Sequence, residues 1–221
     1  MLVGNRMTRS VITATPHTTH REAVDLMRKH KIQRLPVMQG KRLVGIVSEE
    51  DLLSTAPSPA TTLSIYEIYS LLDQLTLDKI MVSPVVTVAP ECPLADAAQI
   101  MAQRKISCLP VLERDELVGI ITETDILKLL VEILGGGEPG IHFTVSVPDE
   151  RGEIARLADA VARAGGNIVS ITSFKSHDGK GQIAIKEQGA DDTKLRQYLH
   201  EAKAEIVDIQ NGLPHQARLV K

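Results

Sequence analysis

The sequence predicts an α+β fold made of two related units of about 50 residues, followed by a module of order β-α-β-β-α-β. Three observations predict it: an internal repeat, a glycine-rich break after the second copy, and a final third whose strand and helix patterns alternate in that order. The repeat is read by shifting the chain 74 positions, which lays Met7–Leu53 over Met81–Leu127 without a gap and with 18 identities in 47 positions. The densest matches are Leu35-Pro36-Val37 with Leu109-Pro110-Val111, and Leu43-Val44-Gly45-Ile46 with Leu117-Val118-Gly119-Ile120.

Each copy reads as β-α-β-β-α. A β-branched run comes first (Val11-Ile12-Thr13; Val85-Val86-Thr87), closed by Pro16 or Pro90. A helix follows, clearest where Leu94, Ala97, Ala98 and Met101 recur at helical spacing. Two short aliphatic strands then flank a polar turn: Pro36–Met38 and Leu43–Val47 around Gln39-Gly40-Lys41, and Pro110–Leu112 and Leu117–Ile121 around Glu113-Arg114-Asp115. A last helix starts at Ser48 or Thr122. Units this small bury too little surface to stand alone, so the copies are expected to pack on each other. The boundaries are set at 1–54 and 80–134, with 55–79 a connecting segment whose helix spans Leu63–Leu77 after the break Ala56-Pro57-Ser58-Pro59.

Residues 135–140, Gly-Gly-Gly-Glu-Pro-Gly, match G-x-G-x-x-G formally. They follow a helix and precede a strand, whereas a dinucleotide fingerprint follows a strand and opens a helix, so the segment is read as a linker. In 141–210, Phe143, Val145 and Val147 alternate as a strand, and Ile154, Leu157, Ala158 and Val161 mark a helix closed by Gly165-Gly166. Strands Asn167–Phe174 and Gln182–Lys186, a helix carrying Leu195, Tyr198, Leu199 and Ala202, and a strand Ile206–Ile209 complete a ferredoxin-like arrangement, and 211–221 form a tail.

Composition narrows the function. The net charge is −3 with both signs interspersed, so no basic patch offers a footprint to nucleic acid. There is no Trp, and the two Phe and three Tyr all lie outside the repeats. An adenine held by the repeats would therefore rest on aliphatic side chains and backbone groups rather than on a ring. Two cysteines, Cys92 and Cys108, make neither a disulfide framework nor a zinc site. The N-terminus lacks a signal-peptide pattern and no apolar run is long enough for a bilayer, which points to the cytoplasm with no membrane partner.

Both copies end on the same motif, Gly45-Ile46-Val47-Ser48-Glu49-Glu50-Asp51 and Gly119-Ile120-Ile121-Thr122-Glu123-Thr124-Asp125. A hydroxyl at a helix start adds a donor to backbone N–H groups that favour an anion, and a carboxylate one turn on can accept from both hydroxyls of a ribose. The same spacing is also the capping box, which stabilises a helix start by roughly 1 kcal/mol without any ligand. Residue chemistry alone leaves both readings open.

With L-P-V, L-V-G-I and G-x-x-[ST]-x-x-D in both copies, residues 1–134 resemble a pair of CBS domains (a Bateman module). Through Val147-Pro148-Asp149-Glu150-Arg151-Gly152 and Gly166-Asn167-Ile168-Val169, the last module resembles an ACT domain, with Arg151 where the family pattern has Pro. The order of the two is similar to the acetoin-utilisation regulator family known as AcuB. This resemblance implies a regulatory protein that binds an adenine nucleotide or S-adenosylmethionine as a regulatory ligand and requires no catalytic cofactor. It implies that each site is assembled across the pair: Ser48 and Asp51 face Ser83, Ser107 and Cys108, while Thr122 and Asp125 face Arg9, Gln33 and Arg34. The second set carries guanidinium groups suited to phosphate and the first does not, so the Asp125 site is expected to prefer a phosphorylated ligand. Arg34 has the alternative of a solvated surface residue. In the ACT-like module the matching effector positions are Asp149, Gly152 and Asn167, with the alternatives that Gly152 serves only the turn and Asn167 only the strand entry.

Other candidates lead elsewhere. His17 and His20 lack a third ligand, and His20 aligns with Leu94, which points to a packed or half-exposed histidine. Cys108 aligns with Arg34 and no histidine is tied to it by motif, so no nucleophile is assigned, and no catalytic residue and no metal ligand is named. The expected protein is a non-enzymatic sensor, a homodimer through exposed aliphatic helix faces, acting on a regulated enzyme. A ligand-free docking scaffold and an enzyme of unrecognised chemistry are the alternatives.

Overall fold

Thr19 opens the first long helix, α1 (His20–His30), with a capping box: its side chain accepts from Glu22 N–H while the Glu22 carboxylate takes the Thr19 N–H at 2.8 Å. In the computed structural model, which describes residues 1–55, 64–148, 150–175 and 181–211, α1 ends at Lys31 in the left-handed region (φ 53°). Its counterpart α4 (Leu94–Arg104) ends the same way at Lys105 (φ 54°). Each helix leads into an antiparallel hairpin, β1 (Arg34–Gln39) with β2 (Arg42–Ser48), and β3 (Cys108–Glu113) with β4 (Glu116–Thr122). The two hairpins share register to the residue, with Arg34 opposite Ser48, Cys108 opposite Thr122, and a bulge before Met38 and before Leu112. Helices α2 (Glu49–Thr55) and α5 (Glu123–Ile133) follow directly.

The opening strands expected at Val11–Thr13 and Val85–Thr87 do not form. Each stretch makes a single parallel bridge, Ala14 to Val37 and Val88 to Val111. Ala14 N–H donates to the Pro36 carbonyl and its own carbonyl takes the Met38 N–H. The next rung back would need an N–H from Pro36, which has none, so the ladder stops. Pro110 imposes the same limit on the second copy.

The repeats also extend further than their sequence match, because their leading segments are exchanged. A 3-10 turn at Val3–Asn5 docks on the second copy, with Val3 N–H to Cys92 O at 2.9 Å and Gly4 N–H to Pro90 O at 2.8 Å. Its equivalent at Leu77–Lys79 docks on the first, with Leu77 N–H to Thr18 O at 2.9 Å and Asp78 N–H to Pro16 O at 3.0 Å. Val3 and Leu77 stand at the same repeat position and both are fully buried. Leu77 joins Ala14, Ala23, Met27, Leu35, Val37, Val47 and Leu52 in the first copy's core. Just beyond, Thr8 pairs with Ile120 of β4 and Val82 with Ile46 of β2. Met7 and Met81 lie across Gly119 and Gly45 so closely that a Cβ there would overlap the methionine side chain. The glycine of L-V-G-I is therefore a contact with the exchanged segment. The connecting helix, α3 (Ile65–Gln74), is shorter than expected, capped by Ser64 and Glu67 and packed against α1 with Arg21 3.6 Å from Asp73. The break at 56–59 lies outside the described residues.

This part of the chain forms one unit, Met1–Ile126, and the second unit runs from Leu127 to Lys221. The second unit holds β5 (Ile141–Val147), α6 (Glu153–Arg163), β6 (Asn167–Lys175), β7 (Gly181–Gln188), α7 (Asp192–Glu201) and β8 (Glu205–Asn211). The sheet order β6-β7-β5-β8, antiparallel throughout, is the ferredoxin-like topology expected. Phe143, Val145 and Val147 point inward with Ile183 and Ile185, under Leu157, Ala160, Val161, Leu195 and Leu199. Ile154, expected on the buried face of α6, is exposed instead, and Glu153 and Ala160 take the inward positions. The glycine-rich segment is not free of the sheet: Lys186 Nζ donates to Gly135 O at 2.6 Å and Gln188 Nε2 to Pro139 O at 2.7 Å. Residues 212–221 of the expected tail lie outside the described residues, and among the described residues no helix is long and apolar enough to cross a membrane.

Candidate ligand sites of the repeated pair

β2 ends at Ser48 and α2 begins one residue later, so the strand delivers the hydroxyl to the helix start. There Asp51 Oδ2 accepts from both Ser48 N–H (2.7 Å) and Ser48 Oγ (2.6 Å), while Ser48 Oγ accepts the Asp51 N–H at 3.0 Å. The second copy repeats this, with Asp125 Oδ2 taking Thr122 N–H (2.9 Å) and Oγ1 (2.7 Å) and Thr122 Oγ1 accepting the Asp125 N–H at 3.3 Å. The capping box is thus built in both copies. It gathers its bonds on one carboxylate oxygen and leaves Oδ1 outside them, with the carboxylate fixed in orientation. Cap and ribose reader are therefore compatible on the same Asp: the cap aims the group that a diol would meet. All four residues are half-buried, accessible but held.

Ser83 and Arg9 lie on the exchanged segments. Val82 pairs antiparallel with Ile46, so exposed Ser83 runs on alongside Gly45 of β2, three residues before Ser48. Thr8 pairs with Ile120 through bonds of 2.9 and 3.0 Å, which sets Arg9 alongside β4 before Thr122. The Arg9 guanidinium donates to Gly4 O at 2.9 Å. It lines a shallow cavity of about 450 Å³ with Leu2, Asn5, Met7, Pro90 and Glu91.

Gln33-Arg34 and Ser107-Cys108 lie differently from the grouping the resemblance implies. Each sits beside the hydroxyl of its own copy: Glu49 N–H donates to Gln33 O and Glu123 N–H to Ser107 O, both at 3.0 Å. What crosses the pair is one side chain. Arg34 Nε donates to Ser107 Oγ at 3.0 Å, Nη2 donates to the same oxygen, and Nη1 holds Gln33 O at 2.7 Å. Arg34 is half-buried and bonded, not a solvated surface residue. Burial pushes the Cys108 thiol up to about 11, with the neighbouring Arg34 pulling the other way. At neutral pH it is a protonated, inert packing group.

In the ACT-like unit, Gly152 caps α6 in the left-handed region (φ 91°), where a side chain would be strained. Asn167 opens β6 beyond the other end of that helix, so the two effector positions stand at opposite ends of α6 within one chain. Asp149 lies outside the described residues. Sequence reasoning missed Glu187, fully buried among apolar residues of β7, with Oε2 accepting Ala190 N–H at 2.9 Å and Oε1 without a partner. Inward alternation with Ile183 and Ile185 was the signal that could have placed it. His20 is buried, and because the Leu52 carbonyl 2.9 Å away can only accept, Nε2 carries its proton there. Among the described residues no group of three or more His, Cys, Asp or Glu could hold a metal ion.

Comparison with known proteins agrees with these two units. The CBS domain matches residues 3–57 and 77–132, together half of the chain, and the TTHA0829-like ACT domain matches 139–210. An inosine-5'-monophosphate dehydrogenase of Korarchaeum cryptofilum is 37% identical over 119 residues, 53% of this chain but only 22% of that enzyme. The CBS domain-containing protein YhcV of Bacillus subtilis is 29% identical over 56% of this chain and 81% of its own. Among solved structures, the chain is similar to AcuB of Vibrio cholerae, named for acetoin utilization, at 34% identity and a TM-score of 0.51. That alignment covers 61% of this chain and 93% of that one.

Proposed function

The chain belongs to the CBS-domain family and carries a TTHA0829-like ACT domain behind its CBS pair, and from that premise we propose that it is a regulatory sensor of an adenine nucleotide or related adenosyl ligand. The observation that carries this reading is the duplicated hydroxyl–carboxylate pair, in which the cap orients Asp51 and Asp125 and leaves Oδ1 of each for a ribose. Ser83 and Arg9 follow the exchanged bridges Val82 to Ile46 and Thr8 to Ile120, which supports a hydroxyl as the added group of one site and a guanidinium as that of the other. The adenine rests on aliphatic side chains, since both repeats lack aromatic residues. The ligand acts by binding one arrangement of the two units better than another, and the readout is a partner enzyme or a second copy of the chain. Acetoin utilisation is the pathway that the likeness to AcuB suggests. The test is a melting-temperature screen of the full chain against AMP, ADP, ATP, S-adenosylmethionine and NAD: a ligand at 100 times its dissociation constant adds about 2.7 kcal/mol. A flat response to all five would sink the reading.

A second reading, a ligand-free docking scaffold in which the chain is a homodimer, draws on the last helix of each copy. Leu53 and Leu127 occupy the same repeat position and are 69% and 59% exposed, and Leu130 and Val131 extend the apolar face of α5. Association that persists unchanged in an Asp51→Ala, Asp125→Ala chain, with no nucleotide response in the wild type, would favour it.

A further inference from the structure

Around their hydroxyl–carboxylate pairs the two copies differ in charge at Arg9 against Ser83, at Glu50 against Thr124 and at Arg34 against Cys108. Gln33-Arg34 of the first copy becomes Ser107-Cys108 in the second, so the Arg34 guanidinium has no twin. Its backbone pairs with Ser48, at the first site. Its tip reaches Ser107 Oγ, and Ser107 is anchored at the second site by the bond from Glu123 N–H to its carbonyl. The cation thus stands between the two pairs, with its donors taken up by a neutral hydroxyl and a carbonyl. At the position where symmetry would put a second guanidinium there is a buried, protonated thiol. Arg9, the other guanidinium assigned to the second site, is turned to Gly4 O in its own cavity.

A guanidinium bond to a phosphate oxygen is charge-assisted and roughly twice as strong as one to a neutral oxygen, and the planar fork suits two such oxygens at once. A phosphorylated ligand at either site therefore outcompetes Ser107 for Arg34. One fork cannot grip two phosphates at separate sites. Resting on the adenosyl reading above, we infer that Arg34 is a single shared anion clamp that makes phosphorylated ligands compete between the two sites. The first phosphorylated ligand takes the guanidinium and the second binds without it, whereas an uncharged adenosyl ligand fills both sites independently. Ser107 holds the clamp at the midpoint when no anion is bound.

Calorimetric titration of the full chain with AMP and, separately, adenosine tests this without any substitution. Adenosine should fill two equivalent sites, and AMP should bind in two steps, the second weaker by roughly tenfold or more, the scale of one charge-assisted bond. Arg34→Gln should weaken the first AMP step by that factor and merge the two steps, leaving adenosine unchanged. Ser107→Ala, which frees the guanidinium but keeps it, should tighten the first step and preserve the gap. Two equal AMP sites in the wild type, an AMP isotherm unmoved by Arg34→Gln, or a single adenosine site would overturn the shared clamp while leaving adenosyl binding standing. Binding of neither ligand would remove the adenosyl reading and the clamp with it.

Discussion

Leu77 belongs to the opening turn of the second copy, yet its side chain completes the core of the first, where it is fully buried beside Leu35, Val47 and Leu52. Leu77→Ala removes three carbons from that core, about 2.4 kcal/mol of transfer free energy at ~0.8 kcal/mol per methylene. The cavity left behind brings the loss to about 3 kcal/mol, inside the usual range for buried Leu→Ala. For a chain of this size that lowers Tm by about 6–12 °C. Where the loss appears is more telling than its size. Hydrogen exchange should accelerate in α1, β1 and β2, which precede Leu77 in the chain, before it does in β3 and β4. Val3→Ala should do the opposite and loosen the second copy. Faster exchange confined to the copy that contains each substituted residue would refute the exchanged arrangement.

Three further outcomes follow from the same contacts. Gly45→Ala must displace Met81, a cost of about 1–3 kcal/mol in thermal unfolding, and the cost should shrink in a chain that also carries Met81→Ala; an unchanged Tm for the single variant would contradict the contact. Glu187→Gln keeps an acceptor for Ala190 N–H in a side chain of the same shape, so its Tm should stay close to the wild type, while Glu187→Ala should lose about 1–3 kcal/mol by leaving that N–H unpaired. Cys108, with its thiol at about 11 when folded against 9.0 for a free thiol, contributes stability that is fully present below about pH 9 and is lost as pH rises from 9 towards 11. The stability difference between wild type and Cys108→Ala should therefore be constant from pH 6 to 8 and move against the wild type above 9; a difference that moves between pH 6 and 8 would show another group at work.

Much of this was legible because local chemistry and repetition agree. The alternation of Phe143, Val145 and Val147 gave one strand's inner face, and the spacing Ser48-x-x-Asp51 with its copy at Thr122 gave both helix starts and their caps. The rest depends on contacts between distant segments. Val11-Ile12-Thr13 carries strand propensity, but the missing N–H of Pro36 limits it to one bridge. Val3 and Leu77 share a repeat position without sharing a residue type, so the comparison of copies starts too late to include them. The bond from Arg34 to Ser107 joins residues 73 apart, and the mismatches of Arg34 with Cys108 and of Arg9 with Ser83 hinted only that the two sites would differ. The resemblance put Arg34 and Ser107 in separate sites, and the fold joins them.

The measurement that bears most directly on the sensor reading is a calorimetric titration of the full chain with AMP, in the wild type and in Asp51→Ala, Asp125→Ala and the double variant. Loss of the Asp51 or Asp125 carboxylate removes the oxygen left for the ribose and, with it, a cap of roughly 1 kcal/mol, so circular dichroism should accompany each titration. The account predicts saturable binding in the wild type, a weakened isotherm in each folded single variant and none in the double. AMP binding that survives intact in a folded double variant would contradict it.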